Sequence, residues 1–221
     1  LNCNLFVFTN YVGTRETEES IMASSQILRL PDLSKFDGLV SVPNTVHNPF
    51  ALKKVLDDIK ELNIPTVCID RKIEGLSSVG IDSYAAEYEM VEHFIKHGYR
   101  DIVYVPGAVQ VSSEAKIRLQ AYKDAMENNG LPFKEENVYD GAFTMESGIM
   151  AAKKMLEDGR IPDAIVCGND DMAHGIIDVF KKAGIKVPEE VKLAGFDNVE
   201  MSVLNRPTLT SVDKNQIGVG Y

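Results

Sequence analysis

Residues 162–198, PDAIVCGNDDMAHGIIDVFKKAGIKVPEEVKLAGFDN, constrain the fold more than any other stretch of the chain. An apolar run, Ala164–Cys167, breaks at Gly168 into Asn169 and Asp170. A helical pattern on Met172, Ile176 and Val179 follows, and it stops at Gly184 with Pro188 beyond. A second apolar run ends in Gly195-Phe196-Asp197. The pattern predicts a strand, a helix and a parallel strand, with polar side chains at the carboxyl end of each strand. Ligands of open α/β sheets bind along that edge. Polar groups there, with no catalytic motif around them, point to a small-molecule cleft.

The same alternation extends through the chain. Strand-like runs occur at 5–9, 38–42, 66–70, 79–81, 102–105, 138–140, 164–167, 192–196 and 209–212, with helical patterns between most of them. Residues 50–62 put Leu52, Val55, Leu56, Ile59 and Leu62 on one face, with Asn48 as N-cap and Pro49 in the first turn. Residues 84–96 repeat the pattern and close at Gly98. Residues 114–128 end at Gly130, and residues 146–157 follow a Thr144 cap and end at Gly159. Such alternation calls for parallel sheets covered by helices on both faces, the α/β class. No Pro- or Ser-rich linker separates domains, although Val105-Pro106-Gly107-Ala108 offers a mid-chain crossing.

Composition narrows the partners. The chain of 221 residues carries 33 acidic and 23 basic side chains, a net charge of −10. Duplex binding needs clustered Lys and Arg to neutralise phosphates, and no such cluster is present. No window approaches the apolar length of a membrane span. Cys68 and Cys167 sit inside apolar strand patterns and Cys3 lies near the start. That odd count reads as core thiols in a reducing cytoplasm and not as a disulfide framework.

Enzyme motifs are missing: no GxxxxGK[ST], GxGxxG, HExxH or GxSxG occurs. His93 and His97 have a metal-capable spacing, but no third ligand stands at a motif-like distance, and His97 suits the helix dipole in a last turn. Neither a cofactor nor a metal is expected. Among cleft candidates, Asp70 and Arg71 end one strand; the pair can accept from and donate to vicinal hydroxyls, or form a solvent-facing salt bridge. Asn169 carries both a donor and an acceptor at a strand end and is assigned to the ligand, whereas Asp170 is assigned as the N-cap of the following helix. Asp197 ends the next strand, where capping a short helix through 199–203 is the alternative to ligand contact. Asp82 reads equally as a helix cap or a ligand residue. The role of His174 is left open between solvent and a subunit neighbour.

Beyond these readings, the chain resembles the effector-binding domain of LacI/GalR-type transcriptional regulators and the related periplasmic sugar-binding proteins. The resemblance rests on Ile69-Asp70-Arg71, the segment His93–Ile102, Arg118-Leu119-Gln120-Ala121-Tyr122, Gly141–Gly148, Asn169-Asp170, Gly195-Phe196-Asp197 and Thr208–Val212. These motifs run from about residue 38 to 213, and their order and spacing together are specific. Two departures stand out: Ala121 replaces a glycine, and Ser83 replaces the asparagine usual after Asp82.

The resemblance implies a type I periplasmic-binding-protein-like fold with two Rossmann-like lobes and a ligand cleft between them. It places residues 1–105 and 208–221 in one lobe and residues 106–207 in the other. It implies that Arg118 reaches the ligand, that Phe143 stacks on an apolar sugar face, and that Asp70, Arg71, Asn169 and Asp197 contact a sugar or sugar derivative. Asp82 and Lys214 are weaker carry-overs. The intact protein is expected to be longer, with the family's first strand, an amino-terminal DNA-binding headpiece and a homodimeric state. A periplasmic receptor of an ABC transporter, a sensor fused to another output, and an enzyme on this scaffold are the alternatives.

Overall fold

The structure is a computed structural model that describes residues 4–8, 19, 25–43, 46, 48–110, 112–215 and 218. The chain divides into two compact units, Leu1–Gly80 and Ile81–Tyr221. In the first, β1 (Leu39–Ser41), β2 (Thr66–Ile69) and β3 (Ser77–Val79) form a parallel sheet in that order. Helix α1 (Pro49–Glu61) joins β1 to β2. Its start follows the predicted cap: the Asn48 side chain accepts from the Phe50 and Ala51 amides at 3.0 and 3.1 Å. Leu52 and Ile59, seven residues apart, turn the same face inward and are buried.

Residues 5–9 do not form the predicted strand. Asn4–Phe8 belong to no strand, and Thr9 lies outside the described residues. The segment has strand-type side chains, but strand preference needs a pairing neighbour to be expressed. Instead, Phe6 and Phe8 meet Phe36 edge-on, with ring centroids 5.7 and 6.1 Å apart.

The second unit opens with α2 (Ser83–Lys96) and a sheet of four parallel strands: β4 (Ile102–Val105), β5 (Ala164–Cys167), β6 (Lys192–Asp197) and β7 (Thr210–Asp213). Between strands lie α3 (Ser113–Asn128), α4 (Met145–Glu157), α5 (Asp170–Lys182) and the short α6 (Glu200–Leu204). Every residue of β4 and β5 is buried, as a parallel sheet covered on both faces requires. Side chains alternate between the faces. Val103, Val105, Ile165 and Cys167 pack with α4 and α5, while Ile102, Tyr104, Ala164 and Val166 pack with α2 and α3. The expected 138–140 strand is reduced to a single bridge from Val138 to Tyr104.

Two features of the chain path differ from the lobe boundaries that the sequence implies. The division falls after Gly80 because Val91, Phe94 and Ile95 of α2 belong to the second unit's core. Residues 210–213, assigned above to the first lobe, pair with β6 of the second sheet, with Asp197 opposite Asp213.

Helix α5 stops as the sequence predicts, with Gly184 at φ +78° just past its end. Its packing on α4 depends on Gly175. A Cβ there would stand 2.3 Å from the Met145 carbonyl oxygen and 2.9 Å from the Ile149 amide nitrogen. Because backbone cannot yield as a side-chain tip can, Gly175→Ala is expected to cost about 1–3 kcal/mol through separation of the two helices. Urea unfolding checks this, and an unchanged midpoint would mean that the helices part freely.

Candidate functional site

The carboxyl ends of β4, β5 and β6 present Pro106, Gly168 and Asn198 in sequence order, and the candidate side chains of the second unit converge on this edge. Arg118 projects from α3 and is only 4% exposed. One of its terminal nitrogens donates to the Gly168 carbonyl at 2.6 Å, and its guanidinium lies 3.5 Å above the centre of the Phe196 ring. Stacking fixes the guanidinium plane and leaves donor edges at the strand ends. Arg118 is therefore not a solvent-facing arginine.

The cap that the sequence assigns to Asp170 belongs to its neighbour. Asn169, not Asp170, is the N-cap of α5: its side-chain oxygen accepts from the Met172 amide at 3.1 Å. Its amide nitrogen donates to the Phe143 carbonyl at 2.9 Å. Asp170 is the first residue of the helix and is wholly buried. Its carboxylate accepts from the Val199 amide at 2.9 Å, from Ser202 Oγ at 2.7 Å and from Ser211 Oγ at 2.6 Å. The assignment fails because both residues have capping chemistry and sequence does not show which one keeps extended backbone. Asn169 keeps it, at φ −159° and ψ 170°. Asn169→Ala is therefore expected to lower ligand-free stability by about 1–2 kcal/mol through loss of the cap and the Phe143 tether. A melting curve identical to that of the unsubstituted protein would contradict this.

Asp197 sits at the end of β6 and forms an ion pair with Lys214 at 3.5 Å. Burial pushes its carboxyl above the ordinary value, while the Lys214 and Arg118 charges pull it down. The Phe143 ring occupies the space over Gly107, where a Cβ would come within 1.9 Å of the ring. Asp70, Phe143 and Asp197 all hold positive φ, at +55°, +62° and +106°. Side chains avoid that region, a bulky aromatic most of all, and residues held there concentrate at binding and active sites.

The remaining candidates lie elsewhere or serve the fold. Asp70 and Arg71 follow β2 at the carboxyl edge of the first unit's sheet, where the Asp70 amide donates to the Val79 carbonyl at 2.9 Å. Asp82 is the cap of α2, accepting from the Ala85 amide at 2.9 Å; its use is the capping alternative. His174 is buried and faces neither solvent nor a neighbour, with its Nε2 3.3 Å from Ser202 Oγ and its Nδ1 3.4 Å from Asn205 Nδ2.

Sequence reading missed Glu87. It is 1% exposed on α2, with both carboxyl oxygens unpaired among the described residues, and burial raises it to about 8 against the attraction of Arg118. The signal was present: Glu87 falls four residues before Val91 on the face that also buries Ser83, Phe94 and Ile95. An open cavity of about 660 Å³ bounded by Arg100, Leu131, Asn137 and Arg160 lies at the opposite, amino edge of the second sheet. None of the candidate ligand residues lines it.

The family described as "Periplasmic binding protein-like domain" matches residues 91–221. The chain is 31% identical over 187 residues to catabolite control protein A of Priestia megaterium, covering 83% of this chain and 54% of that protein. It is 31% identical to the probable HTH-type transcriptional repressor ExuR of Bacillus subtilis, covering 81% and 53%. The chain thus spans about half the length of these relatives, which are regulators and not enzymes. Among solved structures, a LacI-family sugar-binding transcriptional regulator from Escherichia coli complexed with phosphate superposes with a TM-score of 0.76 and 28% identity, covering 91% of this chain and 70% of that one. The complex of the transcriptional regulator CelR with cellobiose gives 0.76 and 26%, covering 92% and 61%. Among the described residues no helix is long and apolar enough to cross a membrane.

Proposed function

We propose, from the premise that this chain belongs to the periplasmic binding protein-like family in its LacI-type regulator branch, that it is the effector-sensing part of a bacterial transcriptional regulator. Its effector is a small polar molecule, a sugar or sugar derivative, and no bond is made or broken. The observation that carries this reading is Arg118: a guanidinium clamped on Phe196, with a single hydrogen bond among the described residues, to Gly168 O. Such a group has donors to spare for ligand oxygens. Asp197 and Lys214 add an acceptor and a donor at the same edge. Phe143 supplies an apolar face, and Asn169 holds the Phe143 backbone in place. Asp70 and Arg71 offer an acceptor and a donor at the carboxyl edge of the first unit's own sheet. Asp82 is kept outside the ligand set because its carboxylate is committed to α2. The bound sugar of the CelR complex supports the effector class.

In the intact protein a DNA-binding headpiece outside this chain delivers the signal from a cytoplasmic homodimer. Differential affinity for two arrangements of the domain supplies the switch. The test is a thermal-shift panel of free sugars, sugar acids, sugar phosphates and nucleosides. At least one compound should raise the melting temperature. Asp197→Ala should then weaken that compound's binding by about 1.5–3 kcal/mol, or roughly ten- to a hundredfold, because a charged acceptor is lost. A folded Asp197→Ala protein that binds with unchanged affinity would confine Asp197 to its ion pair with Lys214.

A further inference from the structure

Glu87 on α2, Tyr104 in β4 and Arg118 on α3 each bury polar atoms with no hydrogen-bond partner among the described residues: both carboxyl oxygens of Glu87, the Tyr104 hydroxyl and Arg118 Nε. The three residues are 1%, 0% and 4% exposed. Buried polar groups in folded proteins are nearly always paired, so several unpaired ones acting on each other mark a set with a shared purpose. The set is electrostatically continuous. Arg118 attracts the Glu87 charge, and a charged Glu87 disfavours ionisation of Tyr104 and of Cys167 at the end of β5. These are the titratable groups that act with Glu87 from the elements around it: Arg118 from α3, Tyr104 from β4 and Cys167 from β5. Asp197 acts on the same network through Arg118 from β6.

Of Glu87, Tyr104 and Cys167, only Glu87 can change charge near neutrality. Burial holds it protonated to about pH 8, whereas burial drives Tyr104 and Cys167 further from ionisation. A protonated carboxyl leaves the Arg118 charge without compensation from Glu87. An ionised one attracts it toward α2.

We infer that Glu87 is a positioning residue for Arg118: protonated, it leaves the guanidinium turned to the candidate ligand edge, and ionised, it draws the guanidinium back toward α2. The consequence for ligand affinity rests on the proposed role of Arg118, but the coupling itself is a property of the ligand-free domain. It is therefore tested there. In protein labelled with ¹³C at glutamate carboxyls and ¹⁵N at arginine Nε, the Glu87 carboxyl should titrate with a midpoint near pH 8. The Arg118 Nε–H resonance should move with the same midpoint, and in Glu87→Gln it should stay fixed across that range.

Three results would overturn the inference: a Glu87 midpoint in the ordinary carboxylate range, a Glu87 titration to which Arg118 Nε is indifferent, or an Arg118 response that survives in Glu87→Gln. The first two are read on the unsubstituted protein, so the test does not depend on the variant folding. A failed effector panel would sink the sensing proposal and leave this titration standing.

Discussion

Asp170→Ala is expected to destabilise the second unit by about 3–5 kcal/mol, several times the loss of an ordinary helix cap. The carboxylate is wholly buried and accepts three hydrogen bonds, from the Val199 amide and from the hydroxyls of Ser202 and Ser211. Its donors come from the loop after β6, from α6 and from β7, so one side chain on α5 ties together three later segments of the chain. Alanine would leave a part-buried amide without its acceptor and two hydroxyls without their shortest one, and each such orphan costs on the order of 1–3 kcal/mol. His174 would lose its link to the same network through Ser202. Urea denaturation measures the loss. Asp170→Asn retains shape and one acceptor, and should fall between the two. A loss near 1 kcal/mol for Asp170→Ala would show that the three donors find other partners.

Glu87→Gln should act in the opposite direction, stabilising the protein by on the order of 3 kcal/mol at pH 7. The sign follows from linkage. Glu87 is raised to about 8 in the folded protein, so between its ordinary value and that point the folded state binds more protons than the unfolded state. Stability carried by the protonated carboxyl is complete below the unfolded value and is lost as pH rises toward 8. Glutamine has no proton to lose. The gap between variant and parent should therefore be small near pH 4, widen steadily, and level off above about pH 8. Unfolding midpoints at pH 5 and pH 8 are enough to check it. Parallel stability curves would place Glu87 among ordinary carboxylates.

The sequence disclosed the architecture because periodicity and punctuation agree through most of it. The caps Asn48, Thr144 and Asp82 stand where the structure uses them. The glycine stop after α5 does too. Strands β4 and β5 are legible as continuous apolar runs since both faces are covered. Pairing is where legibility ends. Residues 4–8 have strand chemistry without strand structure, and β7 joins the second sheet by hydrogen bonds that no local pattern announces.

The candidate site divides in the same way. Motif order and strand ends found Arg118, Asn169 and Asp197, and the structure brings the first close to Phe196 and the last to Lys214. The placing of the cap on Asn169 instead of Asp170 was invisible because it turns on backbone angle and on Asp170 partners twenty-nine or more residues away. Glu87 was passed over for a related reason: a glutamate in a helix is ordinary until its face is known to be buried.

The central claim, that the carboxyl edge of the second sheet receives a small polar effector, is tested most directly by amide and arginine-side-chain NMR during titration with the strongest stabiliser from the compound panel. The account predicts that the shifts concentrate on Phe143, Gly168, Asn169, Asp197 and Arg118 Nε. Shifts gathered instead around Arg100, Leu131, Asn137 and Arg160, which bound the cavity at the opposite edge, with the Arg118 signal unmoved, would contradict it.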